Sequence, residues 1–497
     1  MLGRTFKSIY LGFVIVYFLL FFSSVFANTK VDNLRKSYKG PNAKYVFYFI
    51  GDGMGLSHIN ATEAYRAALE GKVGRKKLSF TDFSNVCLTS THSLTRYVTD
   101  SAAAGTALST ANKTSPGIIS MDKNAKKKFK SVATMAKEKG MKVGIITTVN
   151  MNDATPSVFY ANQPSRKMSK EIAEDLLKSD FDLFAGGGLN KIKNLRDFLT
   201  KGGYTLIDNR KDFNKLIRCD LVDSKVKESD GKVKGSEKYY LACPVRDGSQ
   251  ACRYSMDMGK NEIRLSELTK KAIELLEGPE GFFMMVEGGK IDWAAHSNDA
   301  RAVMEDVMAF DEAIKEALNF YKKHPQETAI IVVADHETGG FGIGHTATEY
   351  ETYFTKLKNQ KVSLQELDNK ISEYISKTPK EKLSFEGLLP LIKKHTGLGD
   401  ASKGLALNEA DVLELKKALD LSVNGISDKT LYPEYSKPLS SKVINILSNK
   451  AGLGWTTFYH TGVPVVSFAE GPGSELCTGI MDNTDVPKNI MTIMGLK

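Results

Sequence analysis

Beyond its first 27 residues this chain has no apolar run long enough to span a bilayer, and its end, Met494-Gly495-Leu496-Lys497, lacks the apolar tail of a lipid-anchor signal. Cysteine is scarce. The five residues Cys87, Cys219, Cys243, Cys252 and Cys477 cannot all pair within one chain, and none forms a close Cys-x-x-Cys zinc pattern. Cys243 and Cys252 are nearest in sequence and are the pair expected to bridge. Acidic residues are outnumbered, giving a formal charge of +10. The clustered Lys123, Lys126, Lys127, Lys128 and Lys130 lack interleaved aromatics, however, so they read as a solvated face and not as a nucleic-acid-binding module. Signs of disorder are missing too. With 42% hydrophobic and 25% charged residues over 497 positions, the chain can build one large core with insertions.

The N-terminus has its own character. Arg4 and Lys7 precede an apolar run from Ile9 to Phe22, followed by Ser23-Ser24-Val25-Phe26-Ala27 with small residues at the expected break. That order is a secretory signal peptide over residues 1–27, with cleavage expected after Ala27 and a secreted or periplasmic product.

The rest of the chain alternates buried strand and helix, which predicts an α/β fold with a central, mostly parallel sheet covered by helices on both faces. Tyr45–Ile50, Val143–Thr148, Phe181–Ala185, Phe282–Val286, Ala329–Ala334 and Val463–Phe468 read as strands. Residues 190–261 have weak periodicity and read as a peripheral excursion. Residues 346–453 carry amphipathic helical pattern and read as an inserted subdomain, either a rim over the site or a subunit contact.

Chemistry-bearing residues fall where these strands end. Asp52 follows the first between Gly51 and Gly53, Glu287 ends the fourth, and Asp335-His336 ends the fifth. Ligands in open α/β sheets collect beyond the carboxyl ends of strands, so the three acids are expected to converge, and they would repel strongly unless cations neutralised them. Asp292 and His296 stand four apart and share a face if that segment is helical. His460 is the next ligand-type residue. Asp153 and Thr155 offer oxygens suited to magnesium, and Arg166 a planar fork matched to phosphate oxygens. In Thr99-Asp100-Ser101-Ala102-Ala103-Ala104-Gly105, Thr99 or Asp100 can cap a helix whose first turn carries Ser101 among free backbone N–H groups, a favourable place for an anion; alone, the same stretch also reads as an Ala-rich helix start in a core. His58, His92, His324, His345 and His395 read as structural or surface residues.

Taken together, these blocks resemble the alkaline phosphatase family: Phe49-Ile50-Gly51-Asp52-Gly53-Met54-Gly55, Thr99 to Ala107, Asp153-Ala154-Thr155-Pro156, Glu287-Gly288 with Asp292 and His296, Ala334 to Gly340, and Tyr459-His460-Thr461-Gly462. The resemblance covers most of residues 28–497 outside the two excursions and implies a phosphate monoester hydrolase active at alkaline pH through a phosphoserine on Ser101. It implies two zinc ions, one on Asp292, His296 and His460, the other on Asp52, Asp335 and His336. A magnesium ion would take Asp52, Thr155 and Glu287, with Asp153 near its waters. Arg166 would grip the phosphate of small phosphorylated substrates, and Asp100 would steady Arg166. Homodimerisation is the family's habit. Trp293 departs from it, standing where many relatives place Lys or His near metal and phosphate, and offers only one indole donor to substrate. Two rivals stay open: a phosphodiesterase or sulfatase of the same superfamily, although in Cys243-Pro244-Val245-Arg246 the proline stands one place early for a sulfatase signature, or a non-catalytic exported phosphate or metal binder.

Overall fold

The computed structural model describes residues 30–217, 238–426, 430–433 and 436–496. The expected leader with its cleavage point after Ala27, and Cys219, lie outside the described residues. In chain order the strands are β1 (Tyr45–Ile50), β2 (Asn85–Ser90), β3 (Lys142–Thr147), β4 (Leu183–Gly186), β5 (Tyr204–Ile207), β6 (Lys238–Ala242), β7 (Phe282–Glu287), β8 (Thr328–Val333), β9 (Glu337–Thr338), β10 (Gly342–Ile343), β11 (Leu453–Gly454), β12 (His460–Thr461), β13 (Val465–Glu470) and β14 (Ile480–Asp482). Ten of them form one sheet in the order β14-β2-β13-β8-β1-β7-β3-β4-β6-β5. It is parallel throughout except for β13, which runs antiparallel to both β2 and β8.

The central strands are apolar on both faces because both faces are covered. Every residue of β1 and β7 is buried, and aromatic edges interlock across them, as in Phe47 against Phe282 with centroids 5.1 Å apart. The long helix Ala300–Tyr321, capped by Asp299 through the Ala302 N–H at 3.1 Å, buries a stripe of Val303, Val307, Phe310, Ile314 and Ala317 against this sheet and its flanking helices. Register then positions the chemistry. Ile50 pairs with both Glu287 and Val333, and Thr147 pairs with Glu287, so β8, β1, β7 and β3 all end at one level.

Within the stretch 190–261, Tyr204–Ile207 and Lys238–Ala242 join the main sheet as its outer strands β5 and β6. Among the described residues between 346 and 453, helices Leu364–Lys377, Phe385–Thr396, Glu409–Val423 and Pro438–Lys450 pack around a separate apolar cluster that includes Leu367, Leu388, Leu415 and Val443. The bridge in the structure joins Cys87 to Cys477, 390 residues apart. Cys243 and Cys252, the pair expected to bridge, are buried with their sulfurs 2.7 Å apart and carry no bond in this structure. Among the described residues no helix is long and apolar enough to cross a membrane.

Candidate metal centre and active site

Because three adjacent strands end together, Asp52, Glu287 and Asp335 are delivered to one place, all buried. Gly53 makes the approach feasible: at φ +68° it turns the chain, and a Cβ there would stand 2.7 Å from Thr338 Oγ1 and 2.8 Å from Asp292 Oδ1. The Gly53 N–H donates to Asp335 Oδ1 at 3.0 Å, so the ends of β1 and β8 are stitched directly. His336 Nε2 lies 3.2 Å from Asp335 Oδ2 and 3.6 Å from Asp52 Oδ1, and its partner above is Ser101 Oγ at 3.3 Å.

Ser101 opens the helix Ser101–Thr110, whose N-cap is Asp100 and not Thr99. One oxygen of Asp100 accepts from the Ala103 N–H at 3.1 Å. The other accepts from the Gly117 N–H at 3.0 Å and from Arg166 Nη1 at 3.3 Å. Arg166 Nη2 donates to Asp153 Oδ1 at 3.0 Å, so the guanidinium is stretched between two carboxylates beside the serine. Asp153 itself caps the short helix Ala154–Ser157, which places Thr155 Oγ1 3.2 Å from Asp52 Oδ2.

A second group sits on the other side of His336. Asp292 and His296 share one face of the helix Lys290–His296, with Asp292 Oδ2 3.3 Å from His296 Nε2. His460 Nε2 is 3.0 Å from His296 Nε2 and 3.7 Å from Asp292 Oδ1. The rings of His336 and His460 stack with centroids 3.6 Å apart, so the two groups are contiguous. His460 arrives here because β12 pairs with β9, the two-residue strand that follows His336.

The site is electrostatically unfinished. Burial, then repulsion from Asp335, Asp292 and Glu287, pushes the Asp52 carboxyl well above its usual range; burial does the same to Glu287 and lifts Asp335 to about 7. Asp292 goes the other way: burial opposes its ionisation, yet the rings of His296, His460 and His336 hold it well below the carboxylate range. Burial, then the neighbouring His460, lowers the His336 imidazole well below its ordinary range. Asp52 Oδ1, Glu287 Oε1 and Asp335 Oδ2 are buried with no hydrogen-bond partner. Orphaned buried acceptors in a crowd of carboxylates and imidazoles are what divalent cations satisfy. The ligand atoms of Asp52, Asp335 and His336 lie within 4.8 Å of one another, as do those of Asp292, His336 and His460, so the residues present fit metal ions.

All the expected site residues but one meet around this cluster. Trp293 is on the same helix as Asp292, but its ring lies over the ammonium of buried Lys290, 4.4 Å from centroid to Nζ. Sequence reading gave no role to the residues that orient these candidate ligands. Thr338 Oγ1 donates to Asp292 Oδ1 at 2.5 Å and stands 3.2 Å from His336 Nδ1; Thr147 Oγ1 donates to Glu287 Oε2 at 2.5 Å. Backbone carbonyls hold the other two imidazoles, Phe458 O at 2.5 Å from His296 Nδ1 and Thr99 O at 2.8 Å from His460 Nδ1. Glu337 accepts from Thr461 Oγ1 and from the N–H groups of Gly340 and Phe341, fastening the His460 loop. His58, read as structural, is buried and accepts from the Gly55 N–H at 3.1 Å.

Comparison with known proteins places this geometry. The alkaline phosphatase family profile matches residues 43–496. Alkaline phosphatase 3 of Bacillus subtilis is 32% identical over 464 residues, covering 90% of this chain and 88% of its own, and alkaline phosphatase 4 of the same organism is 31% identical over 491 residues, covering 95% and 94%. Among solved structures, a cold-active alkaline phosphatase from a psychrophilic Shewanella species superposes with a TM-score of 0.73 at 27% identity, over 90% of this chain and 99% of that one.

Proposed function

The chain belongs to the alkaline phosphatase family and is a phosphoric monoester hydrolase, and from that premise we propose a two-zinc, one-magnesium enzyme that works through a phosphoserine on Ser101. The observation that carries this reading is the stack of Ser101 Oγ over His336, 3.3 Å away, with Asp52 and Asp335 beneath. One zinc would be held by Asp292, His296 and His460, the other by Asp52, Asp335 and His336, and magnesium by Asp52, Thr155 and Glu287 with Asp153 beside it. When bound, such ions neutralise the crowded acids and lower the proton affinity of oxygens at the site.

The chain's own residues set up the attack. The first N–H groups of the Ser101–Thr110 helix and its dipole favour the anionic phosphoryl group. Arg166 presents its fork to two phosphate oxygens while Asp100 and Asp153 fix its plane. Ser101 Oγ then bonds to phosphorus as the ester P–O bond breaks and the alcohol departs on the opposite side. Water subsequently cleaves the Ser101 Oγ–P bond, which returns the hydroxyl and releases inorganic phosphate. A free, doubly charged phosphate suits this arrangement better than a diester. Export is part of the reading, supported by the leader pattern and by the Cys87–Cys477 bridge.

The test pairs metal analysis with turnover. Chelation should abolish aryl phosphate hydrolysis and zinc should restore it, and Ser101→Ala should keep its zinc while losing about 10³-fold or more in kcat. A Ser101→Ala protein that turns over normally, or faster cleavage of a methyl aryl phosphodiester than of the monoester, would refute the proposal.

A further inference from the structure

The hairpin from Cys243 to Cys252 leaves the sheet after β6 and returns against the carboxyl end of β3. Its two cysteines are almost fully buried with sulfurs 2.7 Å apart, and its turn is closed by Asp247, whose Oδ1 accepts from the N–H groups of Ser249 at 2.9 Å and Ala251 at 3.0 Å. Cys243 N–H is anchored on Gly186 O at 2.7 Å and Cys252 N–H on Thr148 O at 3.0 Å. The tip also reaches outward. Asp247 Oδ2 accepts from Lys290 Nζ at 3.2 Å, and that ammonium, wholly buried, lies between the rings of Tyr254 at 4.0 Å and Trp293 at 4.4 Å.

Lys290 is the first residue of the Lys290–His296 helix that carries Asp292 and His296, and its N–H donates to Thr148 Oγ1 at 3.0 Å. The adjacent Thr147 holds Glu287. The hairpin, the end of β3 and the ligand helix are thus joined at one pair of threonines. A buried ammonium left without its carboxylate would be costly, so the place of Asp247 governs the place of Lys290.

We propose that Cys243 and Cys252 form a second disulfide, and that the clasped hairpin, through Asp247 and Lys290, positions the helix bearing Asp292 and His296. The two thiols lose two protons and two electrons to an external oxidant of the disulfide class, which is reduced to its dithiol, and an Sγ–Sγ bond forms. The Cys87–Cys477 bridge of the same chain requires a compartment where such oxidants act. Asp247 and Lys290 are positioning residues, outside both candidate metal groups.

Peptide mapping of the mature protein, alkylated under denaturing conditions before and after reduction, reads the bond without reference to function. A cross-linked Cys243–Cys252 peptide is expected; both residues alkylated before reduction, or either one linked to Cys219, overturns the proposal. The positioning role rests on the zinc reading above and is measured as zinc release to a chromogenic chelator. Asp247→Asn should speed release about 10-fold, C243A/C252A should act in the same direction, and the double variant Asp247→Asn with Lys290→Met should recover much of the loss because no buried charge is left unpaired. Unchanged release in both Asp247→Asn and C243A/C252A, with native circular dichroism, overturns it. Absence of zinc from the wild-type protein would refute the functional reading while leaving the peptide map to decide the bond.

Discussion

At the scale of single residues, two side chains outside the expected ligand set carry definite consequences. Thr338 donates to Asp292 and touches His336, so it orients one residue of each candidate metal group. Thr338→Val keeps the shape and removes the hydroxyl, and zinc affinity should fall about 10- to 100-fold as measured by chelator competition. Asp306 is the other. It is buried, one oxygen accepts from Ser255 Oγ at 2.8 Å and the other has no partner, and burial lifts its pKa to about 7 in spite of Ser255 and Lys290, with Glu305 adding to the rise. Folding therefore takes up a proton between about pH 4 and pH 7, so this group's contribution to stability is full below pH 4 and is lost as pH climbs to 7. Asp306→Asn should flatten that slope, and its urea midpoint should exceed that of the wild type at pH 8 but not at pH 4; parallel profiles would refute the assignment. Spacing exposed the candidate ligands because acids at strand ends are conspicuous. It could not expose Phe458 and Thr99, whose contribution is a carbonyl that every residue carries, nor Asp247, whose partner is distant in sequence.

At the scale of elements, the Ser101–Thr110 helix shows one carboxylate serving structure and site together. Asp100 caps the helix with one oxygen and steadies Arg166 with the other. Asp100→Asn retains an acceptor for the cap but weakens the charge-assisted contact, so stability should hold while the inhibition constant for inorganic phosphate rises about fivefold, the equivalent of about 1 kcal/mol. Asp100→Ala should in addition lower stability by about 1 kcal/mol through loss of the cap. Thermal melts and phosphate inhibition of both variants separate the two roles. The same physics decided which elements could be read in advance. β1, β7 and β8 are apolar on both faces, and their limits match the expected ones to within a residue. β2 went unread because it turns Val86 and Leu88 outward and mixes them with Asn85, Thr89 and Ser90. β5 and β6 are short strands in a Lys- and Asp-rich stretch, and only pairing along the sheet edge identifies them.

At the scale of the whole molecule, the chain is closed by its two ends. Cys87 on β2 pairs with Cys477 just before β14, and these strands lie at the sheet edge opposite β5, separated from β8 by β13. The bridge therefore ties the first hundred residues to the last thirty across nearly all of the intervening sequence. Counting cysteines could not find it, since sequence proximity favours Cys243 with Cys252, whereas pairing geometry is set by which strands become neighbours. A cross-link over so long a loop restricts the unfolded chain far more than it alters the folded one, and about 2 to 4 kcal/mol of stability is expected from it. C87A/C477A should thus shift the urea midpoint downward by that equivalent at constant slope. Because the bridge lies two strands from β8, kcat on an aryl phosphate at 25 °C should stay within about twofold of the wild type. A loss of turnover at full folding would mean that the antiparallel β13 transmits the edge of the sheet to His336 and Ser101.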